Sequence, residues 1–226
     1  MRESVRTFGL EARACLRQGA LMLRGNPRTS EVPDGAARVV AFVHGYGATG
    51  PVFGPMRDHV ERELGVATID FSYGSFTSFP RVAADLADRL DRAGARGARL
   101  DLVGHSLGGL LGRWYVQEMG GASHVGRVVT LATPHAGTAS ARIAPGPLRR
   151  AMLPGNPVVR RLASGRNRAR DVEHTALVAA ADIMVTPPDS AGALEDALVL
   201  WFEGLGHNAM LFDEGVHAAV VDALRE

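Results

Sequence analysis

A serine stands between two glycines where an apolar run gives way to a helical pattern. The segment is Gly104-His105-Ser106-Leu107-Gly108, directly after Leu102-Val103. Glycines two residues before and two after a serine permit a strand-to-helix turn so sharp that a Cβ there would collide with neighbouring backbone. The turn exposes the hydroxyl at the sheet edge, and the next N–H, at the helix N-terminus, faces an oxyanion. This pattern predicts Ser106 as a nucleophile and Leu107 as an oxyanion donor.

A histidine–glycine turn closes the first strong apolar run, at His44-Gly45-Tyr46-Gly47. The second oxyanion donor beside such a serine comes from a turn of this kind. Glycines on both sides let the N–H of Tyr46 face the site, so we expect Tyr46 and Leu107 to be the two donors. His44 precedes the serine and is interpreted as a structural hydrogen-bonding residue of the turn.

The base that activates the serine must be one of eight histidines. Catalytic residues in this architecture follow the chain order serine, acid, histidine. His207 fits, because Gly204-Leu205-Gly206-His207 comes directly after the last apolar run, where a loop can reach back over the serine. His174 and His217 are the rivals. We expect His174 to begin a strand at the end of the sheet remote from the site, and His217 to lie on the surface of the final helix.

The acid is expected after the preceding strand. Asp182 follows the apolar run Leu177–Ala181, and a carboxylate there would hold the tautomer of His207 and stabilise its imidazolium. Asp189 is an alternative, although its Pro-Pro-Asp-Ser context is typical of a loop or helix cap. Asp171 and Asp213 are the remaining candidates.

Short β-branched runs alternate with longer helical stretches from Arg38 onward, which predicts an α/β fold with a mostly parallel sheet and helices on both faces. The runs are nearly continuous in apolar residues, as in strands that are covered on both sides. The predicted strands are Arg38–Val43, Val66–Phe71, Arg99–Val103, Arg127–Ala132, Thr175–Ala180 and Ala197–Phe202. The predicted helices are Val52–Leu64, Pro80–Ala93, Leu107–Met119 and Asp213–Leu224.

Two segments lie outside this alternation. We therefore expect one domain over residues 31–226, with an N-terminal extension over residues 1–30 and a cap or lid over about residues 137–171. The extension fits a basic amphipathic helix whose apolar face either packs on the body or contacts a membrane surface or partner. That face carries Val5, Phe8, Ala12, Cys15, Gly19 and Leu23.

The cap segment holds eight arginines and no Asp or Glu from Ala141 to Arg170. These charges form either a solvated face or a surface that docks on anionic lipid. In the second interpretation, the interspersed apolar side chains rest on the lipid interface. They are Leu148, Met152, Leu153, Val158, Val159 and Leu162.

Composition excludes several chemistries for this chain of 226 residues. It contains no lysine: arginine supplies all 25 basic residues, and with 24 acidic residues the formal net charge is +1. A P-loop phosphate clamp, a pyridoxal Schiff base and a Ser-Lys dyad all need a lysine amine. The near-neutral charge argues against a nucleic-acid partner. The single cysteine, Cys15, excludes an intramolecular disulfide or a thiolate zinc cage, and we expect neither a cofactor nor a metal.

No run has the length of a signal-peptide core or a membrane span, so we expect a cytoplasmic protein, with membrane association left open. The motifs together resemble the small bacterial lipases and esterases of the α/β-hydrolase superfamily, from residue 38 to about residue 225. The matching segments are His44–Gly47, Gly104–Gly109, Thr130–Thr138, Ala181–Val185 and Gly204–His207. The arginine-rich cap and the N-terminal extension depart from the family pattern.

The resemblance implies the α/β-hydrolase fold, with Ser106 as nucleophile, Asp182 as acid, His207 as base and the N–H groups of Tyr46 and Leu107 as oxyanion donors. It implies that Thr133-Pro134-His135 is a structural turn. The implied activity is cleavage of an acyl ester or lipid through an acyl-enzyme, with transient contact to a lipid interface. A thioesterase, phospholipase or acyltransferase would use the same residues, whereas a non-catalytic scaffold would normally lack one of the three.

Four aromatic residues lie within nine positions that begin at the end of the second predicted strand. Ligands in open α/β sheets gather at the carboxyl ends of strands. The rings therefore either line an acyl channel or attach the loop to the next helix. They are Phe71, Tyr73, Phe76 and Phe79.

Overall fold

Six parallel strands form one sheet in the computed structural model, which describes residues 2–24, 32–95 and 97–225. The strands are β1 (Arg38–Val43), β2 (Ala67–Phe71), β3 (Arg99–His105), β4 (Val125–Leu131), β5 (Glu173–Ala179) and β6 (Leu198–Phe202). Their order across the sheet is β2-β1-β3-β4-β5-β6. The predicted α/β class is confirmed, and the ends of the predicted strands move by at most two residues.

Six helices accompany the sheet within the described residues. They are α1 (Arg2–Leu23), α2 (Gly54–Leu64), α3 (Phe79–Ala95), α4 (Leu107–Glu118), α5 (Pro157–Ser164) and α6 (Glu214–Leu224). The four predicted helices correspond to α2, α3, α4 and α6. The start predicted at Val52 is wrong, because a 3-10 helix over Gly50–Phe53 precedes α2.

Alternate residues of β1 pack into two cores on opposite faces of the sheet. Val39, Ala41 and Val43 belong to the core that includes α3 and α4. Val40 and Phe42 belong to the core that includes α2 and α6. Both faces are covered, which explains why the strands are apolar without alternation. Because the strands are parallel, the loops after β1, β3, β5 and β6 all begin at the same edge of the sheet.

The cap segment consists of α5 and three 3-10 helices, over Ala139–Arg142, Leu148–Met152 and Arg166–Ala169. Its apolar side chains pack against the core that includes α3 and α4, and four of them are buried. The interpretation in which they rest on lipid is therefore wrong, because these side chains attach the segment to the body. They are Leu148, Met152, Leu153, Val158 and Leu162 in that core, and Val159, which is also buried.

Polar contacts also tie α5 to the end of α4. Arg113 is buried, and its guanidinium donates to the carbonyl oxygen of Leu162 at 3.1 Å. Arg161 and Arg168 both form ion pairs with the carboxylate of Glu118. These two arginines of the cap are therefore paired within the fold, although their side chains are partly exposed.

The N-terminal extension is helical, but α1 presents an unexpected face to the body. Leu10, Ala14 and Met22 pack on the core that includes α2 and α6. The face predicted to be apolar is turned to solvent, with Phe8 and Leu23 strongly exposed. Packing of that face on the body is thus wrong. No helix in residues 2–24, 32–95 and 97–225 is long and apolar enough to cross a membrane.

Candidate active site

Ser106 occupies a strained turn between β3 and α4. Its φ of 53° and ψ of −121° lie in a region that residues with a Cβ rarely adopt, at a cost of about 1–3 kcal/mol. A Cβ added at Gly104 would lie 2.5 Å from the backbone of Gly109, and one at Gly108 would lie 2.0 Å from the carbonyl oxygen of Val43. Glycine is therefore required at both positions of the motif.

The imidazole of His207 is held by the carboxylate of Asp182. Both side chains are buried, and Nδ1 lies 2.7 Å from Oδ2. A carboxylate only accepts, so Nδ1 carries the proton and Nε2 of the neutral ring keeps a lone pair. The other carboxylate oxygen accepts from the N–H groups of Met184 at 2.7 Å and Val185 at 2.8 Å. His207 thus has the tautomer that a general base needs, and Asp182 is fixed at both oxygens.

His105, inside the serine motif, holds the backbone of His207. Its Nε2 donates to the carbonyl oxygen of His207 at 3.1 Å, and the two ring centroids are 4.6 Å apart. Burial, reinforced by the neighbouring His207, holds the pKa of His105 well below its usual value. A neutral His105 therefore ties the loop of the candidate base to the turn of the candidate nucleophile.

The backbone N–H groups of Tyr46 and Leu107 have no hydrogen-bond partner in the described part of the chain. Leu107 begins α4, so no carbonyl of its own helix can accept from it. A Cβ at Gly45 would lie 3.1 Å from the Cβ of Ser106, so the turn that carries Tyr46 packs directly against the serine. Both N–H groups are therefore available to an anion that forms beside the serine hydroxyl.

A cavity of about 480 Å³ has Ser106 and His207 in its wall. Tyr46 lines the same cavity, and its hydroxyl donates to the carbonyl oxygen of Pro145 in the cap segment. Much of the remaining wall is apolar and suits an apolar group of a substrate. It includes Ala48, Ala141, Ile143, Met152, Ile183 and Val185.

His44 makes the contacts of a residue that shapes its turn. Its Nδ1 donates to the carbonyl oxygen of Gly45 at 2.8 Å, and its Nε2 accepts from the N–H of Tyr73 at 3.0 Å. Burial lowers the pKa of His44 to about 4, so the ring is neutral. This geometry agrees with the structural interpretation of His44.

The four aromatic residues from the last residue of β2 to the first residue of α3 lie outside the wall of the serine cavity, which corrects the acyl-channel interpretation. Phe71 and Phe79 are buried in the core that includes α3. Tyr73 stacks on His44 and donates its hydroxyl to the His44 carbonyl oxygen at 2.6 Å. Phe76 is exposed. Three of the rings thus fasten the loop to the body.

The rival histidines His174 and His217 are both buried, and so is His135. His217 was expected on the surface, but its Nε2 donates to the carbonyl oxygen of Leu211 at 2.9 Å inside the fold. His174 lies near the start of β5, at the opposite end of the strand from the loop that carries Asp182. His135 lies between the guanidinium of Arg113 and the hydroxyl of Thr130.

The rival acids make no contact with His207 in the described chain. Asp171 and Asp189 are exposed, and Asp189 lies in a 3-10 helix over Pro188–Ala191. Asp213 caps α6 by accepting from the N–H of Val216 at 3.1 Å. The structure therefore brings Asp182, and none of these three, to the candidate base.

Glu11 of α1 is a site residue that sequence reasoning missed. Its carboxylate accepts from the N–H of Asn208 at 2.9 Å, the side-chain amide of Asn208 at 2.8 Å and the N–H of Ala209 at 3.0 Å. These residues directly follow His207. A Cβ at Gly206 would lie 2.5 Å from the Glu11 carboxylate. The glycine just before His207 was therefore the one sequence feature that could have indicated that another group packs closely against this loop.

Within the described residues, no cluster of three or more His, Cys, Asp or Glu side chains is arranged to hold a metal ion. A nucleophile, a base with its acid, and two backbone donors would be sufficient for acyl transfer without a further group.

Comparison with known proteins supports this assignment of the fold. The model of the palmitoyl protein thioesterase family matches residues 39–181, whereas no curated protein sequence matches the chain. A mature Bacillus licheniformis lipase is similar with a TM-score of 0.67 at 17% identity, over 87% of this chain and 99% of the lipase. A Paleococcus ferrophilus monoacylglycerol lipase is similar with a TM-score of 0.59 at 21% identity, over 85% of this chain and 95% of that lipase. The predicted resemblance to the α/β-hydrolase superfamily is confirmed.

Proposed function

The chain belongs to the palmitoyl protein thioesterase family, and we propose that it is a serine hydrolase that cleaves carboxylic esters through an acyl-enzyme. One observation carries the proposal. His207, held by Asp182 in the tautomer of a base, lines the same cavity as Ser106 in its strained turn. The lipase-type hydrolase fold supports it.

Acylation begins when the Ser106 oxygen attacks the carbonyl carbon of the ester. Nε2 of His207 takes the hydroxyl proton, and Asp182 stabilises the resulting imidazolium. The carbonyl oxygen becomes an oxyanion that accepts from the N–H groups of Tyr46 and Leu107. The tetrahedral species then expels the alcohol, which receives the proton from His207, and the acyl group stays on Ser106.

Deacylation repeats these steps with water. Nε2 of His207 takes a proton from water as the water oxygen attacks the acyl carbonyl carbon. The same two N–H groups bind the oxyanion. Collapse releases the carboxylic acid, and the proton returns from His207 to the Ser106 oxygen. The enzyme is regenerated without a metal or cofactor.

A thioester is the second candidate substrate, because the matching family model is that of palmitoyl protein thioesterases. The acyl-enzyme and its hydrolysis are the same, and only the leaving group differs, a thiolate in place of an alkoxide. A thiolate is the weaker base and can leave before it is protonated; His207 then gives its proton to the departed thiolate or to solvent, so that the ring is neutral again for deacylation. Thioester cleavage is therefore less dependent on general acid catalysis in the acylation step.

A substrate profile tests the proposal directly. Purified protein is assayed on oxygen esters and thioesters that share one acyl group, with acyl chains from acetyl to palmitoyl. We expect fluorophosphonate labelling of one serine, and hydrolysis that favours the longer chains because the cavity wall is apolar. A thioester preference at every chain length would select the second candidate. Folded protein that neither labels nor hydrolyses any of these substrates would refute both.

Glu11 is proposed as a positioning residue for His207. Glu11→Gln places an NH2 group against backbone N–H donors and so loosens the loop that carries the base. We expect kcat to fall roughly 10- to 100-fold with little change in KM, since misplacement by about 1 Å has effects of this size. The rate of fluorophosphonate labelling should fall in parallel.

The matched control is Glu203→Gln, which removes an exposed carboxylate from the neighbouring groove. Its kcat should stay near that of the unmodified protein. If folded Glu11→Gln keeps full kcat, or if both variants lose it equally, Glu11 does not position the base.

A further inference from the structure

The outer face of α1 is an apolar stripe that is open to solvent. Val5, Phe8, Leu16 and Leu23 are 68%, 76%, 77% and 90% exposed, and the exposed Ala12 and Ala20 lie between them. Steps of three and four residues place these side chains in one line along a helix. Single exposed apolar residues are ordinary, but a continuous apolar surface marks a contact site. We call this line of six residues the outer stripe.

Arginines border the outer stripe along one edge. At about 100° per residue, Arg6, Arg13, Arg17 and Arg24 fall in one narrow sector beside it. The guanidinium of Arg17 also lies over the ring of Phe212, 4.8 Å from its centroid. The carboxylate of Glu11 is turned inward to the loop after His207. The charges that α1 carries along this edge of the outer stripe are therefore positive.

The opposite edge of the outer stripe leads to the candidate active site. Phe8 and Ala12 border a groove of about 930 Å³ whose other wall includes Ile183. Ile183 also lines the cavity of Ser106, and its side chain is exposed there together with that of Ile143. The groove thus connects α1 with the mouth of the cavity, and its wall also carries the carboxylates of Glu11, Asp182 and Glu203.

We propose that the outer stripe docks on an anionic phospholipid surface. Apolar side chains on one face with arginines along its edge are the composition of helices that lie in the plane of a membrane interface. The arginines favour anionic headgroups as the occupant over an uncharged partner. Docking would place Ile183 and Ile143 at the interface, so that acyl substrates enter the cavity from the lipid. This delivery depends on the proposed function, whereas the docking does not.

The test uses the full chain carrying Ser106→Ala, so that binding is measured without hydrolysis of the lipid. The protein is sedimented with vesicles of phosphatidylglycerol and phosphatidylcholine, or of phosphatidylcholine alone. We expect strong binding to the anionic vesicles only, weakening as the Debye length falls from about 8 Å at physiological salt to about 3 Å at 1 M. Arg6→Gln with Arg13→Gln should lower the binding constant about fivefold per charge.

Phe8→Gln with Leu16→Gln removes the apolar part of the outer stripe and should lower vesicle binding at least about tenfold. The matched control is Leu198→Gln, which changes an apolar side chain that is 58% exposed on β6 and should bind unchanged. Circular dichroism verifies that each variant is folded.

Three results would overturn the proposal. The first is equal binding to anionic and to phosphatidylcholine vesicles. The second is binding of the Phe8/Leu16 variant to anionic vesicles as strong as that of the protein with Phe8 and Leu16 intact. The third is no binding of folded protein to either kind of vesicle. Sedimentation velocity without lipid adds a fourth outcome. A dimer that is lost in the Phe8/Leu16 variant would assign the outer stripe to a second copy of this chain.

Discussion

Replacing Ser106 by alanine is expected to abolish fluorophosphonate labelling and to lower kcat for ester hydrolysis by roughly 10⁴- to 10⁶-fold. The substitution removes only the attacking oxygen, because alanine keeps the Cβ and the two glycines still permit the turn. The N–H groups of Tyr46 and Leu107 remain, so some stabilisation of the oxyanion persists and leaves a residual rate. Gel-based labelling and steady-state hydrolysis of one ester measure both effects.

Ser140→Ala is the matched control, because Ser140 lines the same cavity and its hydroxyl donates to the carbonyl oxygen of Met184. That variant should label fully and keep most of its activity. Full labelling of Ser106→Ala would mean that another serine is the nucleophile, and the role assigned to the strained turn would fail.

The turn at Ser106 was predictable because its two glycines stand at a fixed spacing from the serine. Gly104 lies against the backbone of Gly109 within the same turn, whereas Gly108 lies against the carbonyl oxygen of Val43 on β1. The strands were predictable for a similar reason, since burial on both faces produces continuous apolar runs such as Val39–Val43. Parallel strands then bring the loops after β3, β5 and β6 to one edge, which is how residues 106, 182 and 207 meet.

The orientation of α1 was not predictable in the same way. Leu10, Ala14 and Met22 give the helix a second apolar face, and that face packs on the body. Periodicity identifies a face but cannot say which of two faces finds a partner. The contact between Glu11 and Asn208 joins residues 197 positions apart, so no local pattern reports it.

The acyl-channel interpretation of the aromatic residues at positions 71 to 79 failed for a related reason. Phe71 lies on a strand, where its side chain enters the core, and Phe79 begins α3 and is also buried. Position near a strand end does not determine the direction of a side chain. His217 shows the same limit, because a helical position predicted to be exposed is buried through its bond to Leu211.

Asp182→Asn is expected to lower kcat by about 10⁴-fold while leaving Ser106 in place. The N–H groups of Met184 and Val185 both donate to Oδ1, so the oxygen of the asparagine amide stays on them and its NH2 group faces His207. An NH2 group only donates. Nδ1 of His207 must then accept, the proton moves to Nε2, and the lone pair that takes the serine proton is lost.

Asp189→Asn is the matched control, since it makes the same chemical change at an exposed acid that lies in a 3-10 helix. We expect its kcat to change little, and thermal unfolding checks that both variants are folded. Only Asp182→Asn is expected to change the tautomer of His207. A large loss of kcat in Asp189→Asn with no loss in Asp182→Asn would therefore move the catalytic acid to Asp189. An equal loss in folded forms of both would show that neither carboxylate acts through the tautomer of His207.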